Sequence, residues 1–98
     1  MSGRRQVRVS PSFFDRLDEL LPEERKADGR PSATDFLLHE LPSIIDLLAT
    51  GYERVTLDVE EVPDVRVVVT AGRLLARVAI YVALAGDDAV EVIYLDVE

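Results

Sequence analysis

DVRVVVTAGRLLARVAIYVALAGDDAVEVIYLDVE, residues 64–98, decides the fold. β-Branched side chains dominate three runs in it, 65–70, 74–84 and 90–97. Such side chains suit a pleated, half-buried surface. Ala71-Gly72 separates the first two runs and Gly86-Asp87-Asp88 the last two, and both are short stretches of turn residues. Loops this short join antiparallel neighbours, so the stretch predicts a three-stranded meander. In the middle run Val78, Ile80, Val82 and Leu84 alternate with Arg77, Ala79, Tyr81 and Ala83. The first set is expected to face a core and the second to face away.

Upstream the period changes. Residues 6–9 alternate in the manner of a short half-buried strand. Ser10-Pro11 then reads as an N-cap followed by proline at the first helical position, with Ser12 and Asp15 as a rival start. Phe13, Phe14, Leu17, Leu20 and Leu21 form one helical stripe, which Pro22 stops. The polar stretch 22–31 is a loop. Ser32-Ala-Thr-Asp35 is a second capping box, opening a stripe of Leu37, Leu41, Ile44, Ile45 and Leu48. Pro42 lies inside this second helix and should kink or split it. Gly51 is its expected stop. Val55, Leu57 and Val59 alternate with polar residues, as in an edge strand that would be the fourth of the sheet. The predicted class is therefore α+β: strand, helix, helix, then a three- or four-stranded antiparallel meander, with the helices on one sheet face.

The chain's 98 residues suit a single domain spanning 1–98, and 48% hydrophobic with 31% charged residues is the balance of a globular fold rather than a disordered one. There is no cysteine, which excludes disulfides, thiolate nucleophiles and cysteine zinc sites. With one histidine, His39, the chain cannot build a multi-histidine metal site alone. Neither a metal nor a cofactor is expected. No apolar run reaches the length of a membrane helix, and no apolar stretch follows Arg4 and Arg5 as in a secretory signal, so a soluble cytoplasmic protein is expected.

The net charge of −8 is uneven. Residues 1–30 hold seven basic and six acidic side chains, net +1, whereas residues 31–98 hold four arginines against thirteen acids, net −9. Such a surface repels phosphate backbones and is suited to a basic partner protein. The bland reading is solubility. Arg4, Arg5 and Arg8 form a small basic patch that either touches nucleic acid or offsets the acidic body. Asp58, Glu60, Glu61 and Asp64 crowd four carboxylates into seven residues without the spacing of a calcium loop, and read as a solvated connection. Asp87-Asp88 is explained by a hairpin turn, and His39 by a helix surface.

The order of elements, with DVRVVVTAGRLLARVAIYVAL, the closing DDAVEVIYLDVE and the leading VRVSPSFFDRLDELL, resembles the RelE/ParE superfamily of bacterial toxins from type II toxin–antitoxin systems. The resemblance covers most of the chain in topology. It implies a toxin-like protein neutralised by a cognate antitoxin, with the open face of the sheet carrying function. Members that cleave messenger RNA on the ribosome use attack of a ribose 2′-hydroxyl on the adjacent phosphate, which needs a proton acceptor, a cation and an acid. By the resemblance Arg66, Arg77 and Tyr81 are the catalytic candidates, and Arg73 and Tyr94 the candidate binding residues. The chain departs from the nucleolytic pattern in ending Asp96-Val97-Glu98 and in having no lysine in its strands. Three functions thus stay open: a toxin acting by protein or ribosome contacts, as on DNA gyrase; an mRNA endoribonuclease; or a non-toxic interaction domain, including a homodimer formed through a sheet edge.

Overall fold

The computed structural model describes residues 4–21, 32–71 and 77–97. They form an α+β fold: a five-stranded mixed sheet with its helices on one face. The strands are β1 (Val7–Val9), β2 (Leu57–Asp58), β3 (Val65–Thr70), β4 (Val78–Leu84) and β5 (Val90–Val97), arranged β1-β5-β4-β3-β2. β3, β4 and β5 are the expected antiparallel meander. β1 joins the far side of β5 in parallel, Val7 opposite Val90. The loop read at 22–31, most of the β3–β4 turn and Arg73 lie outside the described residues.

Helix α1 (Pro11–Leu20) begins where Ser10-Pro11 predicts, yet Ser10 does not cap it with its side chain. The Ser10 hydroxyl instead donates to the carbonyl of Val92 at 2.8 Å. One turn on, Ser12 donates to the carbonyl of Ile93 (2.9 Å) and Arg16 Nε to that of Leu95 (3.0 Å). β1 pairs only with residues 90–92 and the Ser10 N–H also reaches the Val92 carbonyl, so Ser12 and Arg16 satisfy the Ile93 and Leu95 carbonyls that the rest of the β5 edge would otherwise present to solvent. The capping box at Ser32 forms in full: Ser32 Oγ accepts the Asp35 N–H at 3.1 Å and Asp35 Oδ2 accepts the Ser32 N–H at 2.9 Å.

The second helix is not uniform. A short α2 (Ala33–Asp35) runs into one π turn, Phe36–Glu40, and then α3 (Leu41–Val55). The Leu41 N–H reaches back to the Phe36 carbonyl. This wide turn lies directly before Pro42, whose ring crowds the preceding turn and which has no N–H to give. The helix thus meets the proline by widening its backbone ladder. Gly51 is not the stop that its residue type suggested. Its φ of −149° and ψ of 39° break the helix locally, and the helical turn resumes through Val55. Val55 therefore belongs to α3, and only Leu57–Asp58 forms the edge strand read at that point.

The core sits between α1, α3 and one face of the sheet. Phe13 and Leu17 from α1, Phe36 from the π turn, and Ile44, Leu48 and Tyr52 from α3 meet Val68, Val78, Ile80, Val82, Val90, Val92 and Leu95. Val78, Ile80 and Val82 are fully buried as expected, while Leu84 at the strand end is 42% exposed. In β5 the buried positions change phase, from Val90 and Val92 to Leu95. The register slips there: Tyr81 faces Tyr94 while Val82 faces Val92, so an extra residue bulges out and restores the apolar face.

Candidate functional site

The register of the sheet assigns each candidate residue to a face. Arg66 lies opposite Val82 and so shares the helix-covered face with Val68 and the buried valines. Tyr81 lies opposite Val67 on one side and Tyr94 on the other, on the uncovered face. The sheet therefore separates Arg66 from Tyr81. Arg77 is exposed just before β4. Tyr81 and Tyr94 are brought together, their rings edge to face with centroids 5.8 Å apart.

Two surfaces result. The first is the uncovered sheet face. Leu57, Val65, Val67, Val69, Ala79, Tyr81, Ala83 and Tyr94 share it by register, and none but Ala79 is buried. Val69 and Tyr94 are each 44% exposed. Among the described residues no helix packs on it, and the core cluster holds no residue from it. The β5 side of this face is charged, with Glu91 and Asp96. Arg16 wraps from α1 around the β5 edge, its guanidinium 4.8 Å from the Tyr94 ring centre and 3.6 Å from Asp96. A contiguous apolar face with a charged rim is characteristic of a protein interaction surface.

The second is a cleft of about 500 Å3 at the end of the sheet, lined by Tyr52, Glu53, Asp58, Asp64, Val65, Arg66 and Leu84. Arg66 is fixed on three sides. Its Nε donates to Thr56 Oγ1 at 2.6 Å, Nη2 to the Thr56 carbonyl at 2.9 Å, and Nη1 to Asp58 at 2.6 Å. Thr56 is itself buried and donates to the Tyr52 carbonyl, so Arg66 ties the end of α3 to β3. Arg5 and Arg66 flank the Tyr52 ring at 5.6 and 5.9 Å from its centre. Arg5 also pairs with Glu53 at 2.5 Å. That hydrogen bond is the main reason the Glu53 carboxyl titrates below its ordinary range. Burial pushes the Tyr52 phenol above its ordinary value, against the pull of the two arginines.

The basic patch at the N-terminal end is tied to the acidic body. Arg4 pairs with Asp46 (2.7 Å), Arg5 with Glu53 and Arg8 with Asp87 (2.8 Å). Asp87 titrates low because the Ala89 N–H and then Arg8 hold its charged form. The acidic run splits up: Asp58 pairs with Arg66, and Asp64 takes a positive φ of 70° at the mouth of the cleft. Among the described residues no group of three acidic or histidine side chains is placed to hold a metal ion. No helix of the described residues is long and apolar enough to cross a membrane.

Tyr52 and Glu53 escape the sequence reading because a glycine such as Gly51 ordinarily ends a helix, whereas α3 runs through it to Val55. The signal was present: Leu41, Ile44, Leu48, Tyr52 and Val55 keep one helical stripe across the glycine. No family model, curated protein or solved structure matches the chain.

Proposed function

We propose that this chain is a toxin-like component of a type II toxin–antitoxin pair, working by protein contact, whose uncovered sheet face receives a basic amphipathic segment of the cognate antitoxin. The observation that carries the proposal is the apolar face of Val65, Val67, Val69, Tyr81 and Tyr94, left open opposite the face that holds the core. The order of elements supports it, as does the charge: residues 31–98 carry net −9, so a segment pairing apolar anchors with lysine or arginine meets both the face and its Glu91 and Asp96 rim. Contact rather than phosphate chemistry is favoured because Arg66 lies on the other face from Tyr81 and is already bound to Thr56 and Asp58. A pair of this kind works inside the cell, which places the chain in the cytoplasm. Its target is then a protein surface such as that of DNA gyrase or the ribosome.

The test is expression alone and together with a small protein encoded beside this chain, which the reading requires to exist. Expression alone should slow growth, co-expression should restore it, and the two proteins should co-purify. Val69→Lys should release the partner, because it sets a cation where a basic segment docks. Normal growth at high expression would remove the toxin and leave a non-toxic interaction domain. A partner whose docking segment is acidic, or whose footprint avoids Val69 and Tyr81, would overturn the proposal. Self-pairing along β3, of which β2 covers only Val67 and Arg66, would appear as a dimer by light scattering and would also count against it.

A further inference from the structure

We infer that the cleft between the end of α3 and the strand ends seats an arginine side chain of the partner, its guanidinium held by Asp64 and the Tyr52 hydroxyl. This rests on the reading of the partner as basic, and it adds the residue type and the seat. Four observations support it.

Tyr52 is 4% exposed and lines the cleft. Among the described residues its hydroxyl has no hydrogen-bond partner, and no fully enclosed side-chain polar atom lacks one. The hydroxyl therefore opens onto the cleft, a polar end of a buried side chain waiting for a partner. Buried phenols normally find one.

The charges around it are matched in pairs, with one left over. Arg5 pairs with Glu53 and Arg66 with Asp58. Asp64 lines the same cleft and has no partner among the described residues. The local excess is one negative charge, inside a region that is negative overall. An anion would meet Glu53, Asp58 and Asp64 at once, and Arg66 already engages all three of its nitrogens. A cation meets the spare oxygens of the same carboxylates.

Two guanidinium groups already lie over the Tyr52 ring, so the tyrosine offers its hydroxyl rather than its ring. Hydroxyl and carboxylate are acceptors at separate points. A planar group with five N–H donors bridges them better than an ammonium, and it is less strongly hydrated.

The cleft is also continuous with the docking face. Val65 belongs by register to the uncovered face and lines the cleft as well. A segment crossing Val69 and Val67 towards Val65 would bring a following basic residue to the mouth.

The test is an NMR titration of the whole chain with N-acetyl-arginine amide, with N-acetyl-lysine amide and inorganic phosphate as the other arms. The arginine probe should shift the amides of Asp64, Val65 and Leu84 saturably, with a Kd on the order of 1–10 mM. Asp64→Asn should weaken it about five-fold. Asparagine tolerates a positive φ, so the variant keeps the backbone. Tyr52→Phe should weaken the probe as well while preserving the ring contacts. No saturation, equal affinity in Asp64→Asn, equal binding of lysine, or phosphate producing the shifts would each overturn the inference. Failure here is distinguishable from failure of the docking face. If the partner still docks and Val69→Lys still releases it while the probe does not bind, the cleft alone is ruled out.

Discussion

The two faces of the sheet should respond very differently to truncation, and Ile80→Ala against Val69→Thr measures the difference. Ile80 is fully buried at the middle of the central strand, flanked by Val68 and Leu95 on the helix-covered face. Cutting it to alanine removes three carbons. At ~0.8 kcal/mol for each, the transfer loss is ~2.4 kcal/mol, and the cavity left behind brings the total to roughly 3–4 kcal/mol. A domain of this size has about 5–15 kcal/mol of stability in all, so the variant loses a large share of it. Val69 is 44% exposed on the other face, one strand away. Threonine keeps its shape and its strand preference, and the hydroxyl reaches water, so Val69→Thr should cost about 0.5 kcal/mol or less. Urea unfolding followed by circular dichroism reads both. The midpoint should fall sharply for Ile80→Ala at an unchanged slope, and barely move for Val69→Thr. Equal losses at the two sites would mean that the Val69 face is packed as tightly as the core, and the docking surface would be lost with it.

Arg66→Ala should cost about 1–3 kcal/mol, since it strips the Thr56 carbonyl and hydroxyl of their shared donor, and Arg66→Lys should restore less than half, because one ammonium cannot span three acceptors; thermal melts of both variants check this. Ser32→Ala removes the capping box and should lower stability by about 1 kcal/mol, read by the same melts. Glu53 and Asp87 both titrate below their ordinary values of 4.5 and 3.8. As pH falls, protons therefore bind the unfolded chain first. The contribution of the pair is complete above pH 4.5 and is lost as pH drops through the folded values. A Glu53→Gln, Asp87→Asn double variant should flatten the fall of the urea midpoint below pH 4.5, and an unchanged profile would show that the Arg5 and Arg8 pairs do not act on stability.

Much of this architecture was legible in the residues, for physical reasons that also explain what was not. Val65–Thr70 and Val90–Val97 fall within the bounds read from β-branched runs, because turn residues bracket each of them. The face of β4 was readable from its alternation. The face of β3 was not: in Val65-Arg66-Val67-Val68-Val69 apolar residues fill both parities, so only the register with β4 shows that Arg66 turns to the helices. The phase change in β5 was hidden because a bulge leaves no composition signature in Val-Ile-Tyr-Leu. A strand of three residues such as β1 carries no information about its partner, so its parallel pairing with β5 came from tertiary packing alone. The cleft depended on α3 outlasting Gly51, where a local rule about glycine gave way to an apolar stripe still seeking the core.

The pairing of β1 with β5 also fixes when this molecule can become itself. Val7 meets Val90, so β1 waits for β5, the latest of the five described strands in chain order, and β5 sits inside the sheet rather than at its rim. Helices can form as the chain emerges from the ribosome, but the layer they cover closes only after a loop of some eighty residues has been brought round, a slow and entropically costly step. Until β5 arrives, β1 and β4 each lack a neighbour, so a ribosome stalled before residue 90 carries a nascent chain with no finished binding face and with open strand edges that chaperones would have to shield.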